Sequence, residues 1–569
     1  MPSLLQDDPN PEARAAALTK ARDDYQWDHA YLAPLPMLHL LNRPAKNLEM
    51  GIVQFLRGSF EFLPAAERPH DNMPIERAEA TLPGQLRLEL DELEARFGRL
   101  KDPMDYEKLT KHLHMPAHLA GNATYENDWQ DDAVFGWQRL AGPNPMAIER
   151  LSDDLAFAAV VERTGLTDAL VQQVLGDDTA TISGARAAGI LATVDYPIVA
   201  DPTPLPCSVK DGRQNVLPRA SGAFLWHPER SVLLPAAIGL DDQRFAPDNT
   251  GVWAAAKAQF ATCDFCVHEM AVHLMGVHFL QEGIAIATHR GLPPQHPVYA
   301  LLVPHFKYLL FNNFAGREFL VEEHGYVDKI LSTDLYDGSL ELVKRAYTRF
   351  HFDDLDVPTA LAARGMMSKT GMPDFPYRDD GLLIWAAIDT WTRSYVAAYY
   401  DDDVAVANDT ELHRWCTEMT SEDGAHLNGF PEQFTSRDRL ANALSRLIFL
   451  ASAQHAAVNY TQHHSMLVVP NMPGSAWSPT PTDLMETLPE MATAHTQVEA
   501  IWLLTCYIYG QLGQYGGDLT DTRILEPLNT FHQHLDIAQN TIHQRNETER
   551  KGREYRYLEP RRIPNSSNI

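Results

Sequence analysis

Cysteine is scarce in this sequence: five residues in a chain of 569, at 207, 263, 266, 416 and 506. So odd and thin a set is not the framework of a disulfide-stapled secreted domain, and a reducing compartment is the simpler expectation. Positive charge is also short. Lysine and arginine number 47 against 76 acidic residues, for a formal net charge of -29, a field that repels phosphate backbones and anionic head groups. Nucleic acid is therefore excluded as a partner class. The opening MPSLLQDDPNPEARAAAL has no basic stretch followed by an apolar one, and no apolar run reads as long enough to span a bilayer. The expectation is a cytoplasmic protein, with peripheral membrane contact left open. Also missing are an internal repeat, a low-complexity tract and, in the first 130 or so residues, the alternating short strands that build a β-sandwich.

What is present is helical pattern. Apolar residues recur at helical spacing over Asp264 to Arg290, Asp380 to Tyr400, Ser436 to Gln462 and Pro527 to Arg545. The expected fold is mainly α, one large domain over 1–569, with 1–130 as a helical and loop portion of the same domain. In the last segment Leu528, Phe531, Leu535, Ala538 and Ile542 form one stripe of an amphipathic helix. The tail beyond Gly552 carries aromatic residues where a disordered tail would be polar, so it should pack inward. The segment from Val209 to Trp226 is the best candidate for a small β element.

Chemistry concentrates in DFCVHEMAVHLMGVHFLQEGIAIATHRGLPPQHP, with histidines at 268, 273, 278, 289 and 296. His268, Glu269 and His273 spell H-E-x-x-x-H, one residue too long for the zinc-protease motif, whose histidines share a face at i,i+4. His273 and His278 are five apart, about 140° on an ideal helix. They face one metal only if the helix widens locally into a π turn, a feature found mostly at functional sites. A second helix places His455 and Asn459 at i,i+4 on one face. Together these would make a nitrogen and oxygen site without thiolates, better suited to iron or manganese than to structural zinc. Taken singly, a histidine on an apolar face is more often a hydrogen-bonded core residue than a ligand, so one helix is not enough. Cys263-x-x-Cys266 has no second C-x-x-C to complete a zinc site.

The run HLMGVH-x3-EGIAIATHRGLPPQHPVYALLVPHFKYLLFNNFAGREFL, the segment SAQHAAVNYTQ and the isoleucine after IPNSSN resemble, in order, the signatures of the lipoxygenases. The similarity runs from about Trp226 to Ile569. It implies that His273, His278, His455, Asn459 and the main-chain carboxylate of Ile569 bind one non-haem iron. It also implies that Glu269 and Gln462 form an outer pair linking the two ligand helices, while His268 is not a ligand. Phe265 matches a residue that sets pocket depth, Leu320 one that presses on the reactive pentadiene, and Gly316 the position that gates access of O2. Phe279, Ala315 and Arg317 complete the candidate pocket. Ala315 stands where some relatives carry an arginine for the substrate carboxylate, so that partner is unassigned.

The activity implied by the resemblance is insertion of O2 into polyunsaturated fatty acids such as linoleate or arachidonate. Glycine at 316 accompanies R hydroperoxides in that family. Two alternatives stay open: a manganese enzyme with the same ligands, and a silent lipid-binding protein on the same fold. Oligomeric state is not legible in the sequence.

Overall fold

The computed structural model describes residues 2–39 and 100–569, apart from 111, 112, 114, 126, 211, 249, 250, 507, 517 and 518. Much of the expected N-terminal helical portion therefore lies outside the described residues. Elsewhere helices dominate, and strands are few. Strands β1 (Trp27–Asp28) and β2 (Met37–Leu38) form a short antiparallel pair. The remaining strands are β3 (Leu191–Asp195), β4 (Val209–Lys210), β5 (Arg213–Gln214), β6 (Ala220–His227), β7 (Val232–Leu240) and β8 (Gln243–Phe245). Of these, β4 pairs with β5, and the others form one antiparallel sheet in the order β3-β6-β7-β8.

The expected β element over 209–226 is thus the separate β4–β5 pair and most of β6, and β6 belongs to a larger sheet than the sequence suggested. Strand β7 reads VLLPAAIGL, a short continuous apolar run whose periodicity cannot separate a buried strand from a buried helix. Its Pro235 sits beside the register shift at Ala223/Phe224, a bulge where a missing N–H costs the ladder little.

The core is organised around one continuous helix, Gly251–Gly291. Its middle turns, His268–Phe279, are π-helical, between α-helical Gly251–Val267 and Leu280–Gly291. The helix is apolar on nearly every side, because it is packed on nearly every side. It is long and apolar enough to cross a membrane, which corrects the sequence expectation, but 83% of its most apolar window is buried inside the protein. Core helices pass the same test as membrane spans. At its C-terminal end Gly291 lets the helix Thr410–Thr420 approach, since a Cβ there would lie 2.7 Å from Trp415 Cα.

A second composite helix runs through Arg437–Phe449, a π turn at Leu450–Gln454, and His455–Asn459. It packs against Pro376–Tyr399, which in turn meets Leu525–Thr548. On that last helix Phe531, Leu535, Ala538 and Ile542 are buried, the stripe expected from spacing. The tail packs inward as well: residues 563–569 are all buried. Ser567 accepts a hydrogen bond from Gln281 Nε2 (2.8 Å), Ser566 donates to the Lys307 carbonyl (2.7 Å), and Asn568 Nδ2 donates to the Tyr509 carbonyl (3.1 Å).

Candidate functional site

The π segment does what the i,i+5 spacing required. A π turn closes hydrogen bonds i to i+5, so residues five apart come onto one face, and His273 Nε2 lies 3.1 Å from His278 Nε2. His455 enters from the second helix, its ring centroid 5.9 Å from that of His273 and 5.1 Å from that of His278. One nitrogen from each ring lies within 4.8 Å of the others. All three rings are buried.

The outer nitrogens decide what the inner ones offer. Asn313 Nδ2 donates to the main-chain oxygen of His278 (2.8 Å) and to Glu282 Oε2 (2.9 Å), which orients its amide. Its oxygen therefore faces His278 Nδ1 at 3.2 Å, and the ring proton belongs on Nδ1. His273 Nδ1 faces Glu269 Oε2 at 3.4 Å and Gln462 Nε2 at 3.3 Å. Burial alone would raise the Glu269 carboxyl, but hydrogen bonds from His268 and His273 more than reverse this, to about 2. An ionised carboxylate can only accept, so the His273 proton belongs on Nδ1 toward Glu269, and the Gln462 Nε2 donor is then satisfied by Asn459 Oδ1 (3.2 Å) rather than by the ring. Two bare Nε2 lone pairs are left facing each other at 3.1 Å.

Burial keeps the cluster neutral. It lowers His273, takes His278 down to about 3 and His455 well below the usual imidazole range, with the neighbouring rings adding to the shift on His278 and His455. The main-chain oxygen of Ile569 opposes the shift at His455. Asn459 is fully buried; its Nδ2 donates to the Leu504 carbonyl (2.9 Å), leaving its oxygen to accept from Gln462 Nε2 (3.2 Å). Glu269 and Gln462 meet at the same atom of His273 rather than at each other. His268 turns its Nε2 to the Val458 carbonyl (3.1 Å) and stands outside the triad.

Converging neutral imidazoles with their protons on the far side repel one another unless a cation lies between them. The donors are nitrogen and oxygen without thiolate, which fits iron or manganese. Cys263 and Cys266 take no part: both thiols are free and buried, and burial pushes Cys266 up to about 12. A second histidine and carboxylate group, His296, Asp409 and Glu411, is already satisfied within the protein. Buried Arg14 holds both oxygens of Glu411, while His296 Nε2 and the Tyr400 hydroxyl engage Asp409.

An apolar cavity opens beside the triad, with about 120 Å³ free to the centres of water-sized molecules. Phe265, Phe279, Ala315, Gly316, Leu320 and Ile569 contribute to its wall, and His273 and His278 reach it. Gly316 begins a π turn, Gly316–Leu320, and a Cβ added there would meet, among the described residues beyond its own helix backbone, only Leu320 Cδ1, at 3.8 Å. Arg317 is not part of this wall. Its guanidinium is buried, 3.3 Å from Glu282 Oε1, and donates to the Leu38 carbonyl (3.4 Å). Glu282 and Asn313 were missed in the sequence reading, although a carboxylate in EGIAIA and an amide in LLFNNFA are polar groups inside apolar runs.

The lipoxygenase family model matches residues 92–555. The rat hydroperoxide isomerase ALOXE3 is 33% identical over 461 residues, 78% of this chain and 62% of that protein. The linoleate 9/13-lipoxygenase of Pseudomonas aeruginosa is 32% identical over 482 residues, 78% of this chain and 67% of its own length. Against the ALOXE3 relatives, then, this chain matches over less than two thirds of their length. Among solved structures, a coral 8R-lipoxygenase superposes with a TM-score of 0.86 at 24% identity, over 100% of this chain and 83% of that one. The manganese lipoxygenase of Gaeumannomyces graminis does so with 0.80 at 19% identity, over all of both chains. At these identities the structures speak for the mainly α fold, and the family model together with the curated relatives speaks for descent: the chain belongs to the lipoxygenase family.

Proposed function

We propose that the chain is a metal-dependent dioxygenase of polyunsaturated fatty acids. His273, His278 and His455 hold the metal, with Asn459 and the main-chain carboxylate of Ile569 completing its shell. The observation that carries this reading is the 3.1 Å approach of His273 Nε2 to His278 Nε2, with Glu269 and Asn313 facing the two Nδ1 atoms on the outer side. Iron, or manganese as the alternative, would supply the one-electron redox chemistry by which a hydrogen atom leaves a bis-allylic CH2. The chain itself binds, orients and excludes water. Phe265, Phe279 and Leu320 hold the acyl chain in an apolar wall, and Gly316 leaves a methyl-sized space through which O2 reaches one end of the pentadienyl radical. That space favours an R hydroperoxide.

The test is metal quantification on purified protein, with O2 uptake and conjugated-diene absorbance on linoleate and arachidonate. Roughly one iron or manganese per chain and stoichiometric O2 uptake are expected. A second reading is favoured by the names of three curated relatives, all hydroperoxide isomerases. Loss of a fatty acid hydroperoxide without O2 uptake would select it, and a metal-free protein that binds fatty acids without turnover would select a silent lipid carrier.

A further inference from the structure

The triad is held from behind by a buried polar chain that reaches the N-terminal strand pair. It runs from His278 Nδ1 to Asn313 Oδ1 (3.2 Å), from Asn313 Nδ2 to Glu282 Oε2 (2.9 Å), and from Glu282 Oε1 to the Leu38 N–H (2.8 Å) and Arg317 Nη2 (3.3 Å). Arg317 then donates to the Leu38 carbonyl, so both main-chain groups of Leu38 in β2 are engaged. His278, Asn313, Glu282 and Arg317 are each at most 5% exposed.

Burying an ion pair and an amide this deeply costs several kcal/mol before pairing, and an apolar packing of the same volume would be no less stable. The polar chain has a direction instead. A carboxylate accepts at both oxygens, so Asn313 must present its nitrogen to Glu282 and its oxygen to His278. Turning the amide would set its oxygen against the Glu282 carboxylate, and moving the His278 proton to Nε2 would set a bare Nδ1 against Asn313 Oδ1, acceptor against acceptor in both cases. We propose that Asn313 is a positioning residue that fixes the proton of His278 on Nδ1 and so keeps Nε2 open for the metal. Glu282, neutralised by Arg317 and clamped by Leu38, sets the orientation of Asn313. The 37–38 strand thereby becomes part of the support of the metal centre, although it lies far from it in the chain. This rests on the metal-site reading above.

Two variants of the full chain test it. Asn313→Ala removes the acceptor, and Glu282→Gln keeps the shape but gives the chain an extra donor with no acceptor to meet. Manganese(II) and cobalt(II) affinities are measured by chelator competition, with cobalt(II) d–d absorption as the record of the ligand field and thermal unfolding of the metal-free proteins alongside. Outer-shell partners of this kind are worth about 10- to 100-fold in metal affinity or activity. Both variants should bind that much more weakly with an altered cobalt(II) spectrum, while the KM for linoleate stays within about twofold of wild type. Wild-type affinity and spectrum in both would overturn the proposal. So would weakened binding that tracks a collapse of metal-free stability in both variants, since Asn313 would then be merely structural. Wild-type protein that binds neither ion would instead overturn the reading of the site itself.

Discussion

Gly316→Ala adds one methyl to the cavity wall, on the side that faces Leu320. The backbone there is ordinary right-handed helix, φ -56° and ψ -42°, so alanine is accepted without strain. A helical glycine replaced by alanine at a compatible site stabilises a protein by about 0.4–1 kcal/mol, chiefly by restricting the unfolded chain. The new Cβ would meet Leu320 Cδ1 at 3.8 Å, an ordinary van der Waals contact. Beyond its own helix backbone nothing else among the described residues lies within 4 Å, so the methyl projects into space open there. Fold and metal should be untouched, and the change is confined to the shape of the wall. If O2 uses that space, filling it penalises addition at the nearer carbon and redirects it to the other end of the pentadiene. A tenfold change in product ratio needs only about 1.4 kcal/mol between the two barriers, little to ask of a methyl in a packed wall. Chiral chromatography of the hydroperoxides from linoleate and arachidonate reads the ratio directly. Wild type should give mainly R product, and the variant should gain S product at a shifted carbon by tenfold or more. A ratio within about twofold of wild type, some 0.4 kcal/mol, would refute the reasoning and move oxygen control elsewhere in the cavity.

Replacing His273, His278 or His455 by alanine should empty the metal site and abolish O2 uptake; a variant that keeps metal and turnover would remove that residue from the ligand set. Removing Ile569, or extending the chain beyond it, should lower metal content and turnover with little effect on circular dichroism, and a tagged tail with normal metal content would withdraw its carboxylate as a ligand. Burial takes His289 and His305 down to about 4. Both are neutral when folded and titrate near 6.5 when unfolded, so the unfolded chain takes up more protons as pH falls from about 6.5 toward 4. Stability present above pH 6.5 is lost across that window. The unfolding midpoint of metal-free protein should fall there, and a flat profile between pH 7 and 4.5 would contradict it.

The triad was legible because it is local twice over: His273 and His278 sit five apart in one helix, and His455 shares a face with Asn459 in another. The convergence required a π turn, and the structure has one. The supporting chain was not legible, because the pairing of Asn313 with Glu282 depends on how the helix Leu309–Ala315 docks onto the long helix, and nothing in spacing states that angle. Arg317 shows the same limit on a smaller scale. One residue is about 100° on a helix, so the neighbour of a wall residue can point fully away, as Arg317 does toward Glu282. The extent of the central helix was underread for a different reason. Its first turns, GVWAAAKAQFATC, bury every residue from Ala255 on, so they show no amphipathic period to detect.

The widened turns at His268–Phe279 carry a consequence for how this chain tolerates insertion and deletion. A π segment has poorer backbone geometry than the α-helix on either side, and shortening the stretch between His273 and His278 by one residue would let the rod close into regular α-helix. Selection for thermal robustness alone would therefore reward the loss of that residue, and the histidines would then sit at i,i+4, a spacing that suits a generic divalent-metal site. Laboratory evolution of this protein toward higher melting temperature without a turnover screen should therefore accept such deletions, whereas the same evolution under a turnover screen should reject them.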